Sequence, residues 1–368
     1  MFKSLLPVSF AASITASAIA IPSATAQITP ALDGTGTNIN RAGQQFQIEG
    51  GSLSDDGQNL FHSFEQFGLT SGQVADFFAQ PNVQNVLGRV VGGEASVING
   101  TLQVSGSAAN LYLMNPAGVV FGNDAQLNVP GDFTATTATG IEFGAGQWFN
   151  AVGPNSYGQL MGSPTGFHLG SGSIVNSGDL AVGLGRQLNL VSNSVANVGS
   201  LTAPEGHILI TALPGEDLLR LKFPGYSLGL ELDLIDAPVS VPTAWTLPVA
   251  ALSDLLQLDV VRANEAIAAP GTALVSGQVD VSGAQGGTVG ILGDRVGLFG
   301  AQVNADGLFG GGRVLVGGEY QGQGTTPTAL RTMIDGESMI GASAINAGNG
   351  GEVIVWADET TQFQGSIN

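Results

Sequence analysis

The chain has 368 residues, of which 56 are glycine, 11% are charged and none is cysteine, and its formal net charge is −19. With 43% hydrophobic residues it carries too much apolar surface for a disordered chain and too little charge for an ordinary helical enzyme. Missing cysteines exclude disulfides, thiolate catalysis and cysteine-based metal sites, and scarce Lys and Arg argue against nucleic-acid binding, which must neutralise phosphates.

Lys3 precedes an uncharged apolar run from Leu5 to Ile21 and a small-residue stretch ending Ala24-Thr25-Ala26. This reads as a signal peptide over residues 1–26, since the run falls short of the roughly 20 apolar residues of a spanning helix and ends in a cleavage pattern. The expected mature start is Gln27, which leaves nine basic residues against 29 acidic, a net charge of −20, with Lys222 the one remaining lysine. That balance suits solubility outside the cell.

Phe46, Phe61, Phe64, Phe67, Phe77 and Phe78 cluster in the next segment. An aromatic cluster here is what a capping element needs to seal the end of a repeat structure, and residues 27–150 are expected to form it.

From residue 151 onward a repeat emerges. Ile174-Val175-Asn176-Ser177-Gly178 precedes Leu180-Ala181-Val182, Val195-Ala196-Asn197-Val198-Gly199 precedes Leu201-Thr202-Ala203, and Gly206-His207-Ile208-Leu209-Ile210 returns to a glycine-then-strand figure. The clearest units come later, where Gly286-Gly287, Gly311-Gly312 and Gly350-Gly351 each open an alternating strand such as Val314, Val316 or Val353, Val355. Gly287 and Gly312 lie 25 positions apart, the length of one solenoid coil, while the next step of 39 predicts an inserted loop near Gln321 to Ile340. One coil cannot bury its apolar face alone; stacking in register buries it and pairs each strand above and below. A propeller blade needs about 40 to 50 residues and regular aromatic marks, and the chain has neither.

Between residues 215 and 262 the repeat fades, and Leu218-Leu219-Arg220-Leu221 with Leu252-Ser253-Asp254-Leu255-Leu256 suggests a looped insertion containing a short helix. Phe363-Gln364-Gly365-Ser366-Ile367 reads as entry to a further strand, so the shaft over 151–368 is expected to be incomplete: a fragment, or one completed by a second chain.

No catalytic constellation stands out. His62, His168 and His207 are scattered, and glycine runs lack the Lys-Ser or Lys-Thr ending of a phosphate loop. Asp55-Asp56-Gly57 and Asp280, Asp294 and Asp306 do not have the acid spacing of a calcium loop, although Asp280 and Asp306 come close to equivalent coil positions, as a carbohydrate-active β-helix enzyme would require. No metal or cofactor is expected.

One further set of segments carries a resemblance. Leu60-Phe61-His62-Ser63-Phe64, then Asn85-Val86-Leu87-Gly88-Arg89-Val90-Val91-Gly92-Gly93, then Ile98-Asn99-Gly100, then Ala109 to Met114 followed by Asn115-Pro116-Ala117-Gly118 and Val119-Val120-Phe121-Gly122 occur in order between Thr29 and Phe143. This stretch resembles the N-terminal haemagglutination-activity domain of filamentous haemagglutinins, the exoproteins of two-partner secretion. The resemblance implies an all-β, right-handed parallel β-helix whose N-terminal domain addresses the unfolded chain to an outer-membrane β-barrel transporter with periplasmic domains. It also implies a protein outside the cell that acts as an adhesin or filament toward a host-cell, polysaccharide or neighbouring-cell ligand. A secreted carbohydrate-active enzyme and a carrier for an absent effector remain the alternatives.

Within that stretch the family motif Asn-Pro-Asn-Gly falls on Asn115, Pro116, Ala117 and Gly118, with Ala117 as the departure, and implies transporter recognition there. By residue chemistry alone the four form a turn, because Pro116 fixes its own φ and Gly118 permits a positive one. Asn85, Gly88, Arg89, Gly92 and Gly93 make up the second motif. The family's upstream Asn-Pro-Asn-Leu has its counterpart in Gln80-Pro81-Asn82-Val83.

Overall fold

The computed structural model describes residues 27–144, 146–215, 218–221, 230–233 and 270–368. The expected signal peptide and Leu252 to Leu256 therefore lie outside the described residues. Three long sheets organise the fold, and the chain visits them in a fixed order, sheet A then C then B, once per coil.

Sheet A stacks Asn59–Phe67, Asn85–Val90, Asn110–Met114, Phe133–Thr136, Gln187–Ser192, His207–Ala212, Thr288–Gly293, Arg313–Val316 and Glu352–Val355, all parallel. Their registers bring Leu60, Val86, Leu111, Phe133, Leu188, Ile208, Val289, Val314 and Val353 into one column pointing inward. Leu180, Leu201, Val279, Val303 and Ile340 line the same core from sheet B. Each fully buried aliphatic side chain contributes on the order of 1.5–3 kcal/mol, so the coil, which cannot fold alone, is stabilised by the coils it touches. The chain is a parallel β-helix, as the repeat led us to expect.

The double glycines behave as the repeat requires. Gly206, Gly287, Gly312 and Gly351 form a column in which a Cβ on each of the last three would collide with the carbonyl oxygen of the glycine one coil earlier. Coils approach too closely at this corner for any side chain.

Antiparallel strands close the N-terminal end. Ile28–Pro30 runs antiparallel along Asn59–Phe67, and the hairpin Thr37–Ala42 with Gln45–Gly50 covers the edge of sheet B above Val74–Phe78. This covers sheet edges that would otherwise expose unpaired backbone groups. Phe46, Phe64, Phe67 and Phe77 fill the core beneath it, whereas Phe61 points the other way and Phe78 is partly exposed.

Three expectations need correction. Leu218–Leu221 is a strand rather than helix or loop; it pairs antiparallel with Gly166–His168 and with Leu230–Asp233. Those strands belong to a five-stranded antiparallel sheet, with Gly140–Glu142 and Trp148–Asn150, that lies outside the helix. It exists because sheet A is apolar on its outer side too: Phe61, Leu87, Met114, Val191 and Leu209 pack against Ile141, Phe143, Phe149, Phe167 and Leu219 in a second core. The late inserted loop spans residues 317–330, and Arg331–Ile334 and Met339–Gly341 are ordinary rungs of sheets C and B. Finally, Asp280 is in register with Asn304 rather than with Asp306, because Asp306 sits two residues further along its coil. That offset removes the acid column a groove enzyme would need. Phe363 and Ile367 end the last rungs of sheets C and B, 39% and 48% exposed.

Candidate functional site

The turn Asn115 to Gly118 joins the sheet A strand Asn110–Met114 to the sheet C strand Val119–Phe121. All four residues are buried, Asn115 with no exposed surface and Ala117 with 1%. The Asn115 Nδ2 donates to the Glu94 carbonyl and to Ser96 Oγ, both at 2.9 Å, and its Oδ1 accepts the Ala117 backbone N–H at 3.0 Å. Gly118 donates its N–H to the Asn115 carbonyl at 3.0 Å and has φ of 123°, a value its missing Cβ allows. The side-chain bond that holds this turn therefore comes from its first position. A third-position side chain is not needed, and the buried Ala117 departs from the family motif at no cost to the turn.

Gln80 to Val83 forms a turn of a different kind. Val83 donates to the Gln80 carbonyl, and Pro81 and Asn82 are exposed, with the Asn82 Nδ2 bonded to the Gly57 carbonyl. One motif turn lies inside the fold and its counterpart lies on the surface.

The second motif sits one coil before the buried turn and in register with it, Gly88 beside Leu113 and Arg89 beside Met114. Asn85 donates to Asn59 Oδ1 at 2.8 Å and accepts from Asn110 Nδ2 at 2.9 Å, while Asn110 Oδ1 accepts the Asp132 N–H. These amides form a ladder through successive coils at one corner. Gly88 leaves room for the Phe64 ring, which a Cβ would meet at 3.1 Å; Gly92 lies against the Glu65 carbonyl, and Gly93 has φ of 80°. The corner after Gly93 supplies the Glu94 and Ser96 groups that Asn115 binds, so the fold brings the two motifs together.

Arg89 is only 2% exposed. Its guanidinium donates to Ser63 Oγ at 3.1 Å, to the Asn150 and Gly153 carbonyls at 2.7 and 2.9 Å, and to Asp33 Oδ2 at 2.7 Å, and it lies 5.8 Å from the centre of the Phe149 ring. One side chain thus ties the cap, sheet A and the extra-helical sheet. Burial pushes the Asp33 carboxyl up, but hydrogen bonds from Ser63, Thr35 and Arg89 outweigh it and hold the group at about 2. Thr35 Oγ1 also pairs with the Tyr157 hydroxyl at 2.6 Å.

Sequence reasoning did not find Asp33, Ser63, Asn59 or Tyr157, whose roles depend on contacts 26 to 122 residues away along the chain. Asn85–Val90 is buried at every position, as a strand covered on both faces must be, but its sequence alternates too little to have marked it so.

His62 is the other unusual group. It is fully buried between Phe64 and Phe77, and neither ring nitrogen has a hydrogen-bond partner. His168 Nδ1 pairs with Thr139 Oγ1 at 2.7 Å, and His207 stands near Asp132. Among the described residues there is no group of three His, Cys, Asp or Glu able to hold a metal. Asp56 spends its oxygens on Ser54, the Gln58 N–H and the Gly162 N–H, so the Asp55-Asp56-Gly57 stretch is a bonded turn.

A parallel β-helix closed by antiparallel strands and flanked by an extra-helical sheet defines a capped solenoid. Residues 26–238 match the TPS secretion domain, and the chain belongs to that family. Similar solved structures include the HMW1 secretion domain from Haemophilus influenzae, at 17% identity and a TM-score of 0.48 over 93% of this chain and 100% of that one. The filamentous hemagglutinin secretion domain gives 15% identity and a TM-score of 0.47 over 89% and 99%. No curated protein matches the chain.

Proposed function

We propose that this protein is the exported component of a two-partner system, addressed by its N-terminal segment, residues 27–150, to an outer-membrane β-barrel transporter, and that it works outside the cell as an adhesin or filament without catalysing a reaction. The observation that carries this reading is the burial of Asn115 to Gly118, with the Asn115 amide fully engaged within the fold. A transporter can read these residues only before the coil closes. Recognition therefore precedes folding, and closing the coil hides the address once it has been used. Secreted coils that stack on those already outside would then oppose backsliding.

Detection of the tagged protein on the cell surface and in the medium, with and without its transporter, tests this. Appearance outside the cell is expected to require the transporter, and equal appearance without it overturns the reading. Two variants separate recognition from folding. Asn115→Ala and Ser96→Ala both remove the Asn115–Ser96 bond, but only the first changes the address, so export is expected to fall further in Asn115→Ala.

A further inference from the structure

On the outer side of sheet B, a groove of about 650 Å³ runs across four successive coils. Asp179, Ser200, Gln278 and Gln302 occupy the same register position in the strands Asp179–Ala181, Ser200–Thr202, Gln278–Asp280 and Gln302–Asn304, and form one row along it. Its floor is side-chain-free at Gly199 and Gly277. A Cβ on Gly277 would strike the Gly199 carbonyl, and one on Gly199 the Gly178 carbonyl, so the close approach of the coils keeps the floor open.

The row differs from neighbouring polar pairs. Gln103 and Asn128 satisfy each other across coils at 2.8 Å, as do Asn176 and Asn197 at 2.7 Å. Among the described residues the side chains of Asp179, Ser200, Gln278 and Gln302 make no such bond. They offer amide donors, amide acceptors, a hydroxyl and a carboxylate, repeated about every 4.8 Å, the spacing of hydrogen-bonded strands. No basic and no aromatic residue lines the groove.

We infer that this groove binds a linear, uncharged polysaccharide laid along the helix axis. Hydroxyl groups of such a polymer both donate and accept, which matches amides and a hydroxyl on successive coils. Anionic chains are disfavoured, because Asp179 sits in the groove without a cation beside it and the chain carries a formal net charge of −19. Several weak rungs acting together give a long polymer an advantage over a short sugar. The inference rests on the reading of this protein as one that works outside the cell, and names what its shaft would hold there.

Electrophoresis of the purified full chain through gels containing linear mannan, mixed-linkage β-glucan, linear galactan or polygalacturonate tests it without any export step, so its outcome is independent of the transporter experiment. Retardation is expected in at least one neutral gel and absent with polygalacturonate. The double variant Gln278→Ala/Gln302→Ala should weaken retardation at least tenfold, whereas Gln362→Ala, exposed on sheet C, should leave it unchanged. These outward side chains leave the core intact, and equal melting temperatures check that. No retardation in any neutral gel, or equal retardation of the wild type and the double variant, overturns the inference. Loss of self-association in the double variant, without neutral-polymer binding in the wild type, would assign the face to a second copy of this chain instead.

Discussion

Arg89 and Asp33 stand 56 residues apart in the chain and 2.7 Å apart in the fold, joined through a guanidinium that is almost fully buried. Removing the cation strands Asp33 and two backbone carbonyls together. Breaking a buried pair costs about 3–5 kcal/mol, and because the Asp33 side chain is 26% exposed, Arg89→Met is expected to fall at the lower end. Arg89→Lys should recover only part of this, since a single ammonium cannot span the carboxylate and both carbonyls. Denaturant unfolding of the three proteins measures both effects.

The same pair sets an acid limit. The Asp33 carboxyl is held at about 2 in the folded protein against 3.8 ordinarily, so its stabilisation is fully present above pH 3.8 and is lost as pH falls toward 2. Unfolding midpoints measured from pH 5 to pH 2 should show this loss, and Asp33→Asn should flatten it.

His62 acts in a different window. Burial lowers its imidazole from 6.5 to about 3, so the folded state keeps it neutral while an unfolded chain takes up a proton below pH 6.5. Stability is greatest above pH 6.5 and declines by up to roughly 1.4 kcal/mol per pH unit as pH falls toward 3. His62→Phe, which packs against Phe64 and Phe77 without a polar atom, is expected to remove this slope and raise the unfolding midpoint at pH 5. A slope unchanged in the variant would place the titration elsewhere.

The amide ladder should respond sharply to loss of its middle rung. Asn85→Ala leaves Asn59 Oδ1 without its partner in a buried corner, at a cost of about 1–3 kcal/mol, and frees one amide hydrogen of the half-buried Asn110 at a smaller cost. Slower or incomplete refolding of the first coils, followed by hydrogen exchange at Asn59 to Met114, would locate the damage.

Ala117→Asn separates the two demands on the buried turn. It restores the family motif, so export should be at least as efficient as in the parent. In the fold, however, the added amide enters a site with 1% exposure where Asn115 already holds the turn, and burial of an unpartnered amide costs about 1–3 kcal/mol. Export equal to or above that of the parent, with a lower unfolding midpoint, is the expected combination.

The coil itself was legible in the sequence. Val314, Val316, Val353 and Val355 alternate, and the glycine pairs recur at a coil's length, because inward residues and tight corners repeat locally in any solenoid. The same local logic marked a turn at Asn115 to Gly118 and an aromatic cluster of which Phe46, Phe64, Phe67 and Phe77 fill the core at the N-terminal end, while Phe61 and Phe78 do not. What the turn does was not legible: whether Asn115 faces a partner or the interior depends on Glu94 and Ser96 from the preceding coil. Nor was the extra-helical sheet, whose strands pair across insertions of irregular length. Likewise, the offset of Asp306 from Asp280 appears only once the register is known. Local periodicity encodes which residues turn inward, but partners contributed by distant coils are set by stacking, and Arg89 acquires its carboxylate, its hydroxyl and its two carbonyls only when the cap, sheet A and the outer sheet have closed around it.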